Sequence, residues 1–218
     1  VNAQVFDADR NEGIPRMKSR SSLQALAALS FALPAALLCA FSLAATPARA
    51  QAEARLLPAQ SRIAFVSKQM GVPVEGEFKR FDARVAFDPR QPRNGSVTLT
   101  IDTGSATLGI PETDAELPKV EWFGIARFPQ AQFQSTAIEP LGGGRYEVAG
   151  RLTIKGRTQD VVVPITLVQS GSTGTATGGF ALNRLAFGIG EGEWADTSMV
   201  ADAVQVRFEL ALAGLPAP

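Results

Sequence analysis

Residues 146–156 read YEVAGRLTIKG. Tyr146, Val148, Leu152 and Ile154 fall on one face at period two, with Gly150 in phase, while Arg145, Glu147, Arg151, Thr153 and Lys155 fall on the other. This alternation predicts a half-buried β-strand of about ten residues, about 33 Å long at the usual rise per residue. Such a length exceeds that of most strands and suits a tall barrel wall. Gly156 supplies a turn, and Val161, Val163, Ile165 and Leu167 begin a second alternating run. The two runs therefore form an antiparallel hairpin with its loop around Gly156 to Thr158.

The same period recurs on both sides. Ile63 and Phe65 share a face in a first strand that Gly71 and Pro73 break; Glu77 to Phe81 and Arg84 to Phe87 give two short strands with a bend at Asp82. Val97, Leu99 and Ile101 alternate with threonines, and Phe133 to Ile138, Thr175 to Leu182 and a short piece at Leu185 to Phe187 continue the sheet. Val204, Val206, Phe208 and Leu210 mark the last strand. Between Asp102 and Gly124 period two is lost. Thr113 to Glu116 matches a capping box, Pro118 suits a first helical turn and Gly124 a stop, so one or two short helices are expected there. Strands joined by glycine- and proline-rich turns make the chain all-β, an antiparallel barrel or sandwich.

The first fifty residues have a different character. Met17, Lys18, Ser19 and Arg20 form a basic start, an apolar run follows from Leu23 to Ala45, and Ala48-Arg49-Ala50 is a small-x-small site. This pattern predicts a signal peptide over 17–50, cleaved after Ala50, with residues 1–16 an extension from a mis-called start codon. Pro34 and the cleavage site weigh against an uncleaved anchor. Residues 51–218 are then an exported domain of a size that holds one real core. Cys39, the only cysteine, lies in the signal peptide, so disulfides are excluded from the exported part. Leu38 before it disfavours lipid attachment.

Five of the 21 basic and three of the 21 acidic residues belong to the first fifty, which leaves sixteen and eighteen, a net charge of −2. With no basic surplus to neutralise phosphates, nucleic acid is not an expected partner. Histidine is absent, which removes the usual serine and cysteine triads, histidine metal sites and axial haem histidines. The remaining candidates for chemistry are Asp114 with Glu116, and Glu191, Glu193 and Asp196. Their pattern fits solvated loop acids better than an acid/base pair, and lacks the spacing of an EF-hand. No catalytic residue, metal or cofactor is assigned.

Aromatic residues are more informative. Ten phenylalanines and two tryptophans stand against one tyrosine after residue 50. Phe65, Phe78, Phe87, Phe133 and Phe208 read either as packed core or as the lining of an apolar space suited to a long hydrocarbon. Trp122, Phe123 and Trp194 lie outside the regular strands, where a bulky apolar group covers an opening or contacts a ligand.

YEVAGRLTIKG, together with NRLAFG (183–188), Trp122-Phe123 followed by FPQAQF (128–133), and the closing VRFEL strand, resembles the YceI family of exported lipid-binding proteins over about residues 55–213. The resemblance implies an extended lipocalin-like β-barrel of about eight strands, whose apolar tunnel holds an isoprenoid quinone or a polyprenyl phosphate. It also implies a periplasmic carrier or binder role and, through GEGEWAD (190–196), a cytochrome b561-type membrane protein as partner; a homodimer stays open. The ligand-contact candidates are Phe65, Phe78, Phe87, Phe133, Phe180 and Phe187, with Trp122, Phe123 and Trp194 at an opening and Arg184 near the head group. Arg184 reads equally as a structural ion-pair partner. Glu191, Glu193 and Asp196 close behind it would repel a phosphate, so a neutral quinone or neutral lipid ranks first. The alternatives are a carboxylate-based enzyme acting on a small apolar substrate, and a filled, ligand-free barrel that serves only as a membrane protein's partner.

Overall fold

The computed structural model describes residues 53–217; the expected signal peptide, the upstream extension and Cys39 lie outside the described residues. In chain order the strands are β1 (Glu53–Leu56), β2 (Arg62–Gln69), β3 (Val72–Phe78), β4 (Phe81–Ala86), β5 (Ser96–Asp102) and β6 (Ala106–Thr107). One helical turn, α1 (Pro111–Asp114), precedes β7 (Gln130–Gly142), β8 (Arg145–Ile154), β9 (Arg157–Ser170), β10 (Thr173–Asn183) and β11 (Ala203–Ala213). No helix among the described residues is long and apolar enough to cross a membrane.

The ladder runs β1-β4-β5-β7-β8-β9-β10-β11 and returns from β11 to β1, closing eight antiparallel strands into a barrel. Closure removes the exposed sheet edges that an open sheet would leave. β2, β3 and β6 extend the wall at one end, which we call the upper end. β11 meets β1 through Leu212 and Ala213 and β2 through Gln205 to Glu209. At the kink between β1 and β2, Ser61 Oγ donates to Leu57 O (2.8 Å) and accepts from Ala211 N (2.9 Å), so the ladder loses no hydrogen bond there.

β8 and β9 form the expected hairpin, with Tyr146, Val148, Gly150, Leu152 and Ile154 turned inward. Its loop is tighter than the sequence suggests. Ile154 pairs with Arg157, leaving only Lys155 and Gly156 in the turn, both at positive φ (50° and 74°) as a two-residue hairpin turn requires.

Four other local expectations are corrected. The bend after β3 falls at Lys79 and Arg80, not Asp82, because their amides donate to Ser105 O (3.1 Å) and Ser105 Oγ (3.0 Å) and leave the sheet. Pro73 lies inside β3, where no strand among the described residues pairs beyond Val72–Gly76 and a missing N–H costs little. Leu185 to Phe187 belongs to a 3-10 turn rather than a strand. The helical segment also shrinks to the single turn α1. Pro111 starts it two residues ahead of Thr113, so Thr113 is not a cap, and Pro118 has no N–H with which to continue it.

Two apolar clusters divide the interior. In the lower half, Leu56, Val85, Phe87, Ile138, Val148 and Leu212 fill the barrel, with Phe87 set edge-on to Tyr146 at 5.3 Å. In the upper half, Leu117, Phe123, Leu152, Ile154, Phe187 and Ile189 form a second cluster.

Candidate functional site

Between the second cluster and the upper rim lies a cavity of about 400 Å³, within the range of small-molecule sites. Its wall comes from β2, β3, β5, β7, β8, β10 and β11 and from two irregular segments, Leu108–Phe123 and Arg184–Val200. Ile63, shared with the lower cluster, forms the floor. Along β2 the lining changes from Ile63 and Phe65 at depth to Ser67 and Gln69 near the hairpin tip, and Glu112, Thr113 and Glu116 add the other polar groups.

A glycine explains why the Phe65 ring leaves a space. Phe65 pairs across the ladder with Gly76. Its ring lies where a Cβ on that glycine would stand, so the aromatic lies against the wall instead of crossing the lumen.

Of the candidate contact residues, Phe65, Phe78, Trp122, Phe123, Phe180, Arg184 and Trp194 line the cavity. Three do not. Phe87 lies in the filled lower half, the Phe133 ring lies 2.5 Å from where a Cβ on Gly150 of the β8 wall would stand, and Phe187 is buried behind the lining. The aliphatic lining from Leu152, Ile154, Val204 and Val206 was not singled out in the sequence, although period two already turned those positions inward. Met70 and Met199, also in the lining, carried no signal of this kind.

The two tryptophans lie against each other with ring centres 5.6 Å apart. Phe123 meets Phe78 edge-on at 5.9 Å, which joins the Leu108–Phe123 segment to β3. Glu121 O accepts from Gly190 N (2.7 Å) and Glu191 N (3.0 Å), which joins the same segment to the second one. Both irregular segments are thus held together over the upper end.

Arg184 organises the second segment. Its side chain is 2% exposed, and its Nε, Nη1 and Nη2 donate to the carbonyls of Ala201 (3.1 Å), Ile189 (2.8 Å), Gly190 (2.7 Å), Trp194 (2.6 Å) and Val200 (2.7 Å). A guanidinium has five N–H groups, and here five carbonyls take them. Burial pulls its pKa down, and the charge of Asp202 pushes it back up. Arg184 therefore makes neither the ion pair nor the open head-group contact that the sequence allows; it fastens the wall.

Asp114 accepts from Thr107 Oγ1 (2.5 Å) and Leu108 N (2.6 Å), and Glu116 pairs with Lys119 (2.6 Å). Glu191 binds Lys155 (3.1 Å) and Arg157 (2.7 Å); the hydrogen bond from Lys155 is the main cause holding its carboxyl below the ordinary value. Asp196 accepts from Ser198 N and Oγ, which lowers its pKa as well. These four acids are engaged in holding loops rather than paired across the cavity, and Glu193 is exposed in the 192–195 turn. Its charged lining consists of Glu112, Glu116 and the enclosed Arg184.

Residues 55–212 match the YceI-like domain family. Protein YceI of Salmonella arizonae is 35% identical over 96 residues, 44% of this chain and 50% of that protein, so the chain spans about half the length of the curated relatives it matches. The crystal structure of Burkholderia cenocepacia BcnA superposes with a TM-score of 0.70 at 47% identity, covering 72% of this chain and 98% of that one. A polyisoprenoid binding domain from Saccharophagus degradans, implicated in plant cell wall breakdown, shares the fold with a TM-score of 0.61 at 15% identity, covering 75% and 99%.

Proposed function

Because the chain belongs to the YceI-like domain family, we propose that it binds and carries an isoprenoid lipid with an uncharged head, such as an isoprenoid quinone, as an exported periplasmic protein. The observation that carries this reading is the cavity: apolar to its floor, polar near the rim, with its one lining cation already saturated by carbonyls. Its walls exclude water from a hydrocarbon tail, which contributes roughly 25 cal/mol per Å² of buried area before association costs. Ser67, Gln69 and Thr113 offer hydrogen bonds to a neutral head. A phosphate would meet Glu112 and Glu116 with no free cation in the lining. The binding role of the S. degradans domain points the same way. With Asp114, Glu116, Glu191 and Asp196 engaged in loop contacts, a binding protein fits better than an enzyme.

The chain's two tryptophans both line the cavity, so their fluorescence reports on its occupancy. Titration with an isoprenoid quinone is expected to quench it to a stoichiometric end point. A polyprenyl phosphate of the same chain length is expected to bind about tenfold more weakly, a difference of about 1.4 kcal/mol. Absence of quinone quenching, or tighter binding of the phosphate, would overturn the reading.

A further inference from the structure

The β2–β3 hairpin carries apolar side chains that the barrel does not use. Met70 is 78% exposed and Val72 63% exposed at its tip, and Met199, 45% exposed, is joined to it by the Met70 N to Met199 O hydrogen bond (2.8 Å). Ala201 N donates to Lys68 O (2.9 Å), so the hairpin and the 196–201 loop form one lip. Met70 and Met199 line the cavity as well as facing out. The cavity therefore reaches an exposed edge that carries apolar side chains.

Folding does not account for that edge. Met70 and Gly71 form a two-residue turn between the paired residues Gln69 and Val72, with φ of 47° and 82°. Such turns favour asparagine or glycine at the first position, and an unbranched apolar residue there costs energy. The charge pattern points to what the lip meets. From Ile63 to Val74 the only charged residue is Lys68, which is exposed and has no ion-pair partner among the described residues. Of the acids in and next to the neighbouring loop, Asp196 is held by Ser198 and Asp202 accepts from Leu185 N (2.9 Å). Apolar side chains at a tip, backed by a lone lysine, suit a bilayer surface whose interior accepts the methionines and valine and whose anionic phosphates accept the ammonium.

We propose that the lip formed by Met70, Val72 and Met199, with Lys68 behind it, docks on an anionic phospholipid bilayer and opens the cavity towards it. The inference rests on the lipid-carrying reading above, since only a cargo insoluble in water needs a direct passage between membrane and cavity.

The test is sedimentation of the purified protein with vesicles of phosphatidylethanolamine and phosphatidylglycerol that contain no isoprenoid. The intact protein is expected to sediment with them and to bind phosphatidylcholine vesicles less. Met70→Asn with Val72→Ser, where asparagine suits the positive φ, is expected to weaken binding by about tenfold or more through lost apolar contact. Lys68→Glu, which leaves the apolar tip intact, is expected to weaken it by more than about fivefold. No sedimentation, equal binding by all variants, or binding only when a membrane protein is present would overturn the proposal. Isoprenoid extracted from a protein that ignores vesicles leaves the cargo reading standing and removes the lip; vesicle binding by a protein that never takes up isoprenoid does the reverse.

Discussion

Phe65 and Gly76 face each other across the β2–β3 ladder, and the Phe65 ring occupies the space where a side chain at position 76 would begin. Leu108 Cδ2 lies 2.8 Å from the same point. The hollow upper barrel depends on this arrangement, because a ring lying over glycine leaves the lumen free.

Gly76→Ala is therefore expected to push the Phe65 ring into the cavity. Overpacking of this kind costs about 1–3 kcal/mol. A fall in melting temperature together with reduced lipid uptake checks it; unchanged uptake would show that the ring finds room elsewhere.

Arg184→Lys tests the carbonyl cage. Lysine has three donors for the five acceptors, and each buried group left unpaired costs roughly 1–3 kcal/mol. A loss of about 2 kcal/mol or more by denaturant titration is expected. Hydrogen exchange should accelerate in residues 189–201 before it does in the β8–β9 hairpin.

Trp122→Ala removes a lining side chain and its contact with Trp194, and is expected to weaken lipid retention without unfolding the barrel. Its Nε1–H is buried with no partner among the described residues, so the cavity and not a hydrogen bond justifies the ring. Trp122→Phe should accordingly keep more cargo than Trp122→Ala. Equal loss of fold and ligand in Trp122→Ala would argue against a lining role.

The Lys155-Glu191-Arg157 cluster gives a pH dependence with a defined sign. Glu191 has a lowered pKa in the folded protein, so its contribution to stability is complete above the ordinary value of 4.5 and is lost as pH falls through the lowered value. Glu191→Gln removes that dependence. The stability difference between the two proteins is expected at neutral pH and should vanish in acid, as followed by thermal melts across pH.

Much of this was legible in the sequence. Alternation from Tyr146 to Ile154 and from Val161 to Leu167 gives the hairpin and its inward face, because side-chain direction in a strand follows directly from residue number. Whether inward side chains meet in the middle is a different matter. That depends on which residue lies across the ladder, as Gly76 does from Phe65, so the filled half with Phe87 and the hollow half with Phe65 look alike in the sequence. The role of Arg184 was hidden for another reason: its partners are backbone carbonyls, which every residue carries. At Thr113 to Glu116 the capping-box pattern is present, but Pro111 had already started the turn.

Native mass spectrometry of the protein purified without detergent from a host that makes isoprenoid lipids, followed by organic extraction, identifies what the cavity holds. A stoichiometric isoprenoid with an uncharged head is the predicted result. An empty protein, or a bound lipid without an isoprenoid chain, would contradict it.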